Sequence, residues 1–172
     1  MSREDWQMWS CDRGFRWLVA VLVLSLVGCG FRFRGTPDFP PQMDVIRIDT
    51  ADRYSPFYRN LVAELRRSDV RLTDDPAQAR TIVKVLTDDT GRRLLAVTGR
   101  NVPAEYEVYY RVRFAVDVDG IEVVPVEQLS LTREFAFDET QVLGKDREEE
   151  SIRQAIASDL VGLVTRRLTA VR

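Results

Sequence analysis

Residues 105–119 read Glu105-Tyr106-Glu107-Val108-Tyr109-Tyr110-Arg111-Val112-Arg113-Phe114-Ala115-Val116-Asp117-Val118-Asp119. Tyr106, Val108, Tyr110, Val112, Phe114, Val116 and Val118 take every second position, with Glu105, Glu107, Arg111, Arg113, Asp117 and Asp119 between them. Successive side chains of a strand point to opposite faces. Period two over this length therefore predicts a long antiparallel strand with one face in a core and the other free to meet water or a partner. The alternation puts Tyr110 inside and leaves Tyr109 outside. Gly120 ends the run. Leu129, Leu131, Phe135 and Phe137 repeat the pattern against Ser130, Thr132, Glu134 and Asp138, interrupted only by Arg133, and the two runs are expected to pair.

Working outward, Gly99-Arg100-Asn101-Val102-Pro103 reads as a turn. Before it, Ile82 to Leu86 and Arg93 to Thr98 read as two strands around Asp88-Asp89-Thr90-Gly91-Arg92, a hairpin-like connection. Val70-Arg71-Leu72 is a brief strand and Asp74-Asp75-Pro76-Ala77 starts a short turn. Ser55-Pro56 offers an N-cap and a proline at the first helical position, and Phe57, Leu61 and Leu65 follow at four-residue spacing, so a helix of about three turns is expected. Val45 to Asp49 is a short β-rich run. At the other end, Asp146-Arg147-Glu148-Glu149-Glu150 opens a helix carrying Ile152, Ile156, Leu160, Leu163, Val164 and Leu168, with Arg166 and Arg167 in its last turns. Its glutamates are consecutive, so they fan around the axis, and a solvated helix start is expected rather than a metal site. The fold class predicted is α+β, a two-layer sandwich of a mostly antiparallel sheet with two helices packed on one face.

The 172 residues include no histidine and only two cysteines, Cys11 and Cys29, at a formal net charge of −2. Missing histidine removes the commonest general base and most zinc sites, and nothing arranges the carboxylates into a catalytic pair, so no enzyme is expected. A chain gripping nucleic acid through bulk charge would be basic, and no nucleic-acid motif is present.

Arg13 and Arg16 precede the apolar run Trp17 to Val27, which ends at Gly28-Cys29. Only 15 residues separate Arg16 from Arg32. That is roughly 22 Å of helix against a hydrocarbon core of roughly 30 Å, so the segment reads as a secretory signal and not a span. Met8 competes with Met1 as its start. Residues 1–28 are expected to be the signal peptide, 29–44 a tether rich in proline (Pro37, Pro40, Pro41), and 45–172 one periplasmic domain.

Leu26-Val27-Gly28-Cys29 resembles the lipobox of bacterial lipoproteins. The resemblance implies cleavage before Cys29, with a diacylglycerol on its sulfur and an acyl chain on its amino group, and no other cofactor. Gly30, in place of the aspartate that tends to retain such proteins at the inner membrane, implies the periplasmic face of the outer membrane. Three further segments, Cys29-Gly30-Phe31-Arg32-Phe33-Arg34-Gly35, Pro103-Ala104-Glu105-Tyr106 and Phe135 to Asp146, are similar in order to segments of the LptE (RlpB) family of lipopolysaccharide-assembly lipoproteins. Phe33 stands where that family usually has leucine. The resemblance implies a partner, the LptD β-barrel translocon, plugged and helped to assemble by this domain, and a role in inserting lipopolysaccharide into the outer leaflet. It also implies lipopolysaccharide binding, for which Lys145 matches a basic position directly and Arg100 lies one residue from another. Arg92 and Arg93 are further candidates for the phosphates. Two alternatives share the tether and small domain: a carrier holding an acyl ligand in an apolar cavity, and a lipoprotein activator of a peptidoglycan synthase.

Overall fold

The computed structural model describes residues 37, 39–100, 102–136 and 142–171, with backbone alone for 142–145. The signal peptide, Cys29 and the segment Phe137 to Gln141 lie outside the described residues.

The alternating stretch is strand β4, Pro103–Val118, and it is central. It pairs antiparallel with β3, Thr81–Val97, on one side and with β5, Ile121–Ala136, on the other. Beyond β3 come β1, Val45–Thr50, and the two-residue β2, Arg71–Leu72, giving the order β2-β1-β3-β4-β5. β1 runs parallel to both neighbours, so the sheet is mixed, with its long strands antiparallel. Helix α1, Pro56–Arg67, and helix α2, Val142–Thr169, pack against each other on the Tyr110 face. Phe57, Leu61 and Leu65 of α1 and Ile156, Leu160, Val164 and Leu168 of α2 are fully buried against Val83, Val108, Tyr110, Val112, Phe114 and Val116. The α+β sandwich holds as expected. Met43, in the stretch read as tether, is also fully buried at the end of a 3-10 turn, Pro41–Met43.

Local chemistry fixes the ends of these elements. The Ser55 hydroxyl accepts from the Tyr58 N–H (3.0 Å) and caps α1, while Pro56 starts it without a needed donor. The helix stops at Asp69, whose φ of 59° lets Asp69 N–H bond Arg66 O and Val70 N–H bond Leu65 O, closing a Schellman motif without the usual glycine. Asp119 and Gly120, with φ of 49° and 82°, form a two-residue hairpin turn of the handedness that suits twisted strands.

Three expectations are corrected. Asp88 to Arg92 is not a connection: β3, 17 residues long, passes through it in unbroken register from Thr87 to Leu94, its register shifts falling between Val85 and Thr87 and between Leu94 and Val97. These turn-prone residues stay extended because each finds a cross-strand partner. Thr90 Oγ1 donates to Tyr109 O (2.9 Å), Asp88 accepts from Tyr110, and Gly91 leaves room for the Tyr109 ring. Helix α2 starts at Val142, four residues before Asp146; Gly144 costs a helix only about 1 kcal/mol and does not stop it. Its start is not uniformly solvated either, because Glu149 is buried against Arg92 and Arg153.

Candidate functional site

β1 covers β3 only from Thr81 to Val85, whereas β4 pairs with β3 along its whole length. Past Val85 the β3–β4 hairpin continues without β1 beside it, flanked by β5 to Ala136, and only the part beyond Arg92 and Val108 extends past the fully buried core residues. Its tip is closed by the Thr98 N–H donating to Val102 O (2.7 Å), and Thr98 Oγ1 accepts from the Arg100 N–H. Leu94, Leu95, Val97 and Arg100 are all exposed there. Among the described residues no acid pairs with the Arg100 guanidinium.

The other basic candidates are placed differently. Arg92 and Arg93 are consecutive strand residues and face opposite sides of the sheet. Arg92 reaches Glu149 of α2 (2.7 Å) and lies over the Tyr106 ring, 5.1 Å from its centroid. The Glu149 carboxylate accepting its hydrogen bond raises the Arg92 pKa further above its ordinary value. Arg93 pairs across the outer face with Glu107 (2.5 Å), directly opposite it on β4. Neither joins Arg100 in one cluster. Lys145 falls in the first turn of α2, one turn before Glu149.

The outer face of the sheet is polar and internally matched. Lys84 pairs with Asp117, Arg93 with Glu107 and Arg111 with Asp89 (4.0 Å), while Arg113 remains exposed. Tyr109, expected outside, is half-buried, because its ring lies against Gly91 under the Arg111 guanidinium, 5.8 Å from the ring centroid.

On the helix face, charges border the core. Arg133, the residue that broke the alternation in β5, donates to Asp159 of α2 (2.7 Å), and Glu127 accepts from Arg167 through both oxygens (2.7 and 2.9 Å). With Arg92–Glu149 these pairs fasten α2 near its start, middle and end. Deeper in, Tyr110 donates to Asp88 (2.7 Å) and accepts from the Phe57 N–H (3.2 Å), and the Ser55 hydroxyl donates to the same Asp88 carboxylate. Burial, then the Asp88 bond, pushes the Tyr110 pKa far up, so its phenol stays protonated. This network pins the start of α1 to the middle of β3. The sequence marked Ser55 as a cap and Tyr110 as core-facing, but with Asp88 read as part of a connection it offered no signal that joined them. Nothing among the described residues gathers three or more metal-ligating side chains.

Other proteins match this chain in sequence, and solved structures match it in fold. LPS-assembly lipoprotein LptE of Pectobacterium atrosepticum is 28% identical over 160 residues, covering 92% of this chain and 86% of its own. The protein of the same name from Yersinia enterocolitica is 27% identical over 155 residues, covering 90% and 74%. In shape, the chain matches the rare lipoprotein B of Shewanella oneidensis with a TM-score of 0.63 at 24% identity, covering 72% of this chain and 92% of that one. Lipoprotein B of Nitrosomonas europaea gives 0.68 at 20% identity, covering 82% and 91%. The family model described as lipopolysaccharide-assembly LptE matches residues 43–168, from the buried Met43 to the last buried leucine of α2. With that span filled by one sheet and its two helices, the chain belongs to the LptE lipopolysaccharide-assembly family.

Proposed function

We propose that this protein is a non-enzymatic lipopolysaccharide-assembly lipoprotein, held to the outer membrane on its periplasmic face by acyl chains on Cys29, and that it acts by plugging the LptD barrel. The observation that carries the reading is the family match across residues 43–168. Two physical features support the plug. The outer sheet face is polar with its charges paired in place, as suits a surface set against the polar lumen of a barrel. The space between sheet and helices is filled by Tyr110, Phe57, Phe114, Met43, Leu61 and Leu160, which favours an assembly factor over an acyl-ligand carrier. Photo-crosslinkers at Arg111 and Arg113 should capture a large outer-membrane barrel in cells. Capture of a peptidoglycan synthase in its place, or of nothing, would refute the plug.

Lipopolysaccharide contact is assigned to the β3–β4 tip. There Arg100, without an acid partner among the described residues, can meet a phosphate while Leu94, Leu95 and Val97 offer apolar surface beside it. Lys145 is the second cation. Arg92 and Arg93 serve structure, since a phosphate would have to displace Glu149 or Glu107 to reach them. The double variant Arg100→Asp/Lys145→Asp is expected to lose lipopolysaccharide binding at least tenfold with its circular dichroism unchanged. Undiminished binding would remove both residues from the site.

A further inference from the structure

The end of the domain opposite the tip holds an apolar feature that plugging and lipopolysaccharide contact leave unused. A cleft of about 370 Å³ opens between Pro41, Gln42, Val118, Ile121, Val123 and Val171. It brings together the entry of the chain, the β4–β5 turn and the end of α2. Ile121 is 69% exposed, the most exposed large aliphatic side chain of the described residues, and Val123 beside it is also exposed. At the rim Arg80 holds Asp119 with two hydrogen bonds, 3.2 and 2.8 Å, and the exposed Glu122, between Ile121 and Val123, stands opposite Asp117 on the outer side of the sheet. With Arg80 and Asp119 paired, the Ile121 side can approach a low-dielectric surface while Glu122, on the opposite sheet face, stays in water.

What it approaches follows from the chain itself. Cys29 precedes Pro37 by eight residues, a path of at most roughly 28 Å, and the chain then runs through Pro40 and Pro41 into the wall of this same cleft. An acylated Cys29 therefore keeps Ile121 and Val123 close to the leaflet that holds its lipid. At that distance even a weak apolar contact becomes intramolecular, with an effective concentration near millimolar. We propose that the β4–β5 turn, through Ile121 and Val123, rests in the headgroup region of the leaflet that carries the Cys29 acyl chains, orienting the domain as well as tethering it. The inference depends on the lipoprotein reading above.

The test uses the full-length lipidated protein in vesicles of phosphatidylethanolamine and phosphatidylglycerol. Ile121→Cys carries an environment-sensitive fluorophore, and Thr132→Cys, exposed on the outer sheet face, is the reference. Once Cys11 is cleaved away and Cys29 acylated, the introduced thiol is the only one. The label at 121 is expected to shift to the blue and to be quenched by lipid-borne quenchers at least threefold more than the label at 132. Equal quenching at the two positions in a lipidated protein would overturn this inference and leave the anchor standing. A blue shift without lipid quenching would mean a protein contact and overturn it equally. Mass spectrometry showing the fluorophore on Cys29 itself would overturn the anchor, and this inference with it.

Discussion

Replacing Tyr110 with phenylalanine keeps the ring that fills the core and deletes one oxygen. That oxygen donates to Asp88 and accepts from the Phe57 N–H, one of the donors at the start of α1 that has no partner within the helix. A hydrogen bond to a charged group contributes about 1.5–3 kcal/mol, and a buried donor left without a partner costs about 1–3 kcal/mol. Asp88 keeps Ser55 and is partly exposed, so water can replace some of the loss. A destabilisation of about 2–4 kcal/mol follows. For a domain of this size, each kcal/mol lowers the melting temperature by about 4 °C, so a drop of about 8–16 °C is expected by differential scanning calorimetry. Ser55→Ala removes the other donor to the same carboxylate, and the two substitutions should be non-additive by at least 0.5 kcal/mol, the usual coupling within one network. A melting temperature within 2 °C of the parent, or strict additivity, would show that the Ser55–Asp88–Tyr110 network does not hold α1 to the sheet.

Other perturbations separate local causes. A Cβ on Gly91 would come within 2.7 Å of the Tyr109 hydroxyl, so Gly91→Ala should cost about 1–3 kcal/mol in urea unfolding, whereas Gly99→Ala, with nothing within 4 Å, should cost none. Asp69→Gly relieves a left-handed backbone at the end of α1 and should stabilise by about 0.5–1 kcal/mol in the same assay. The hydrogen bonds from Arg167 hold the Glu127 carboxyl below its ordinary 4.5. A depressed carboxylate contributes stability above that value and loses it as pH falls through the lowered folded-state pKa, so stability should decline as the solution is acidified below the ordinary 4.5, and Glu127→Gln should flatten part of that decline.

β4 was legible because its alternation is unbroken over its whole buried length, and a single period then dictates strand, face and partner. α1 was legible for a similar reason, since cap, proline and apolar spacing agree. β3 was misread where local and tertiary preferences conflict. Asp88, Asp89 and Gly91 are turn formers in isolation, yet each satisfies a specific cross-strand demand that exists only once β4 lies beside them. Arg133 interrupts the alternation for a related reason, and Glu127 shares its situation. They occupy core-facing positions at the border of α2, where a long side chain can leave the apolar layer and meet Asp159 or Arg167. No one-dimensional pattern carries the identity of such partners. The resemblance offered Arg100 only as a candidate, and the structure distinguishes it from Arg92 and Arg93, which are engaged by Glu149 and Glu107.

The continuity of β3 matters for more than accuracy. Had the chain turned at Asp88, Arg100 would lie near the tether. With β3 unbroken over 17 residues, the tip stands about 50 Å along the strand from Thr81, whose hydroxyl donates to Gln42 O in the wall of the cleft. The two proposed contacts, lipid at Ile121 and lipopolysaccharide at Arg100, thus lie beyond opposite ends of β4 and cannot compete for a single surface. What keeps the hairpin straight through its turn-prone middle is the Asp88–Tyr110 bond and the packing of Tyr109 on Gly91. Lipopolysaccharide delivery should therefore weaken when that middle is loosened, with every basic residue of the tip intact, because the reach of Arg100 is set there and not at the tip.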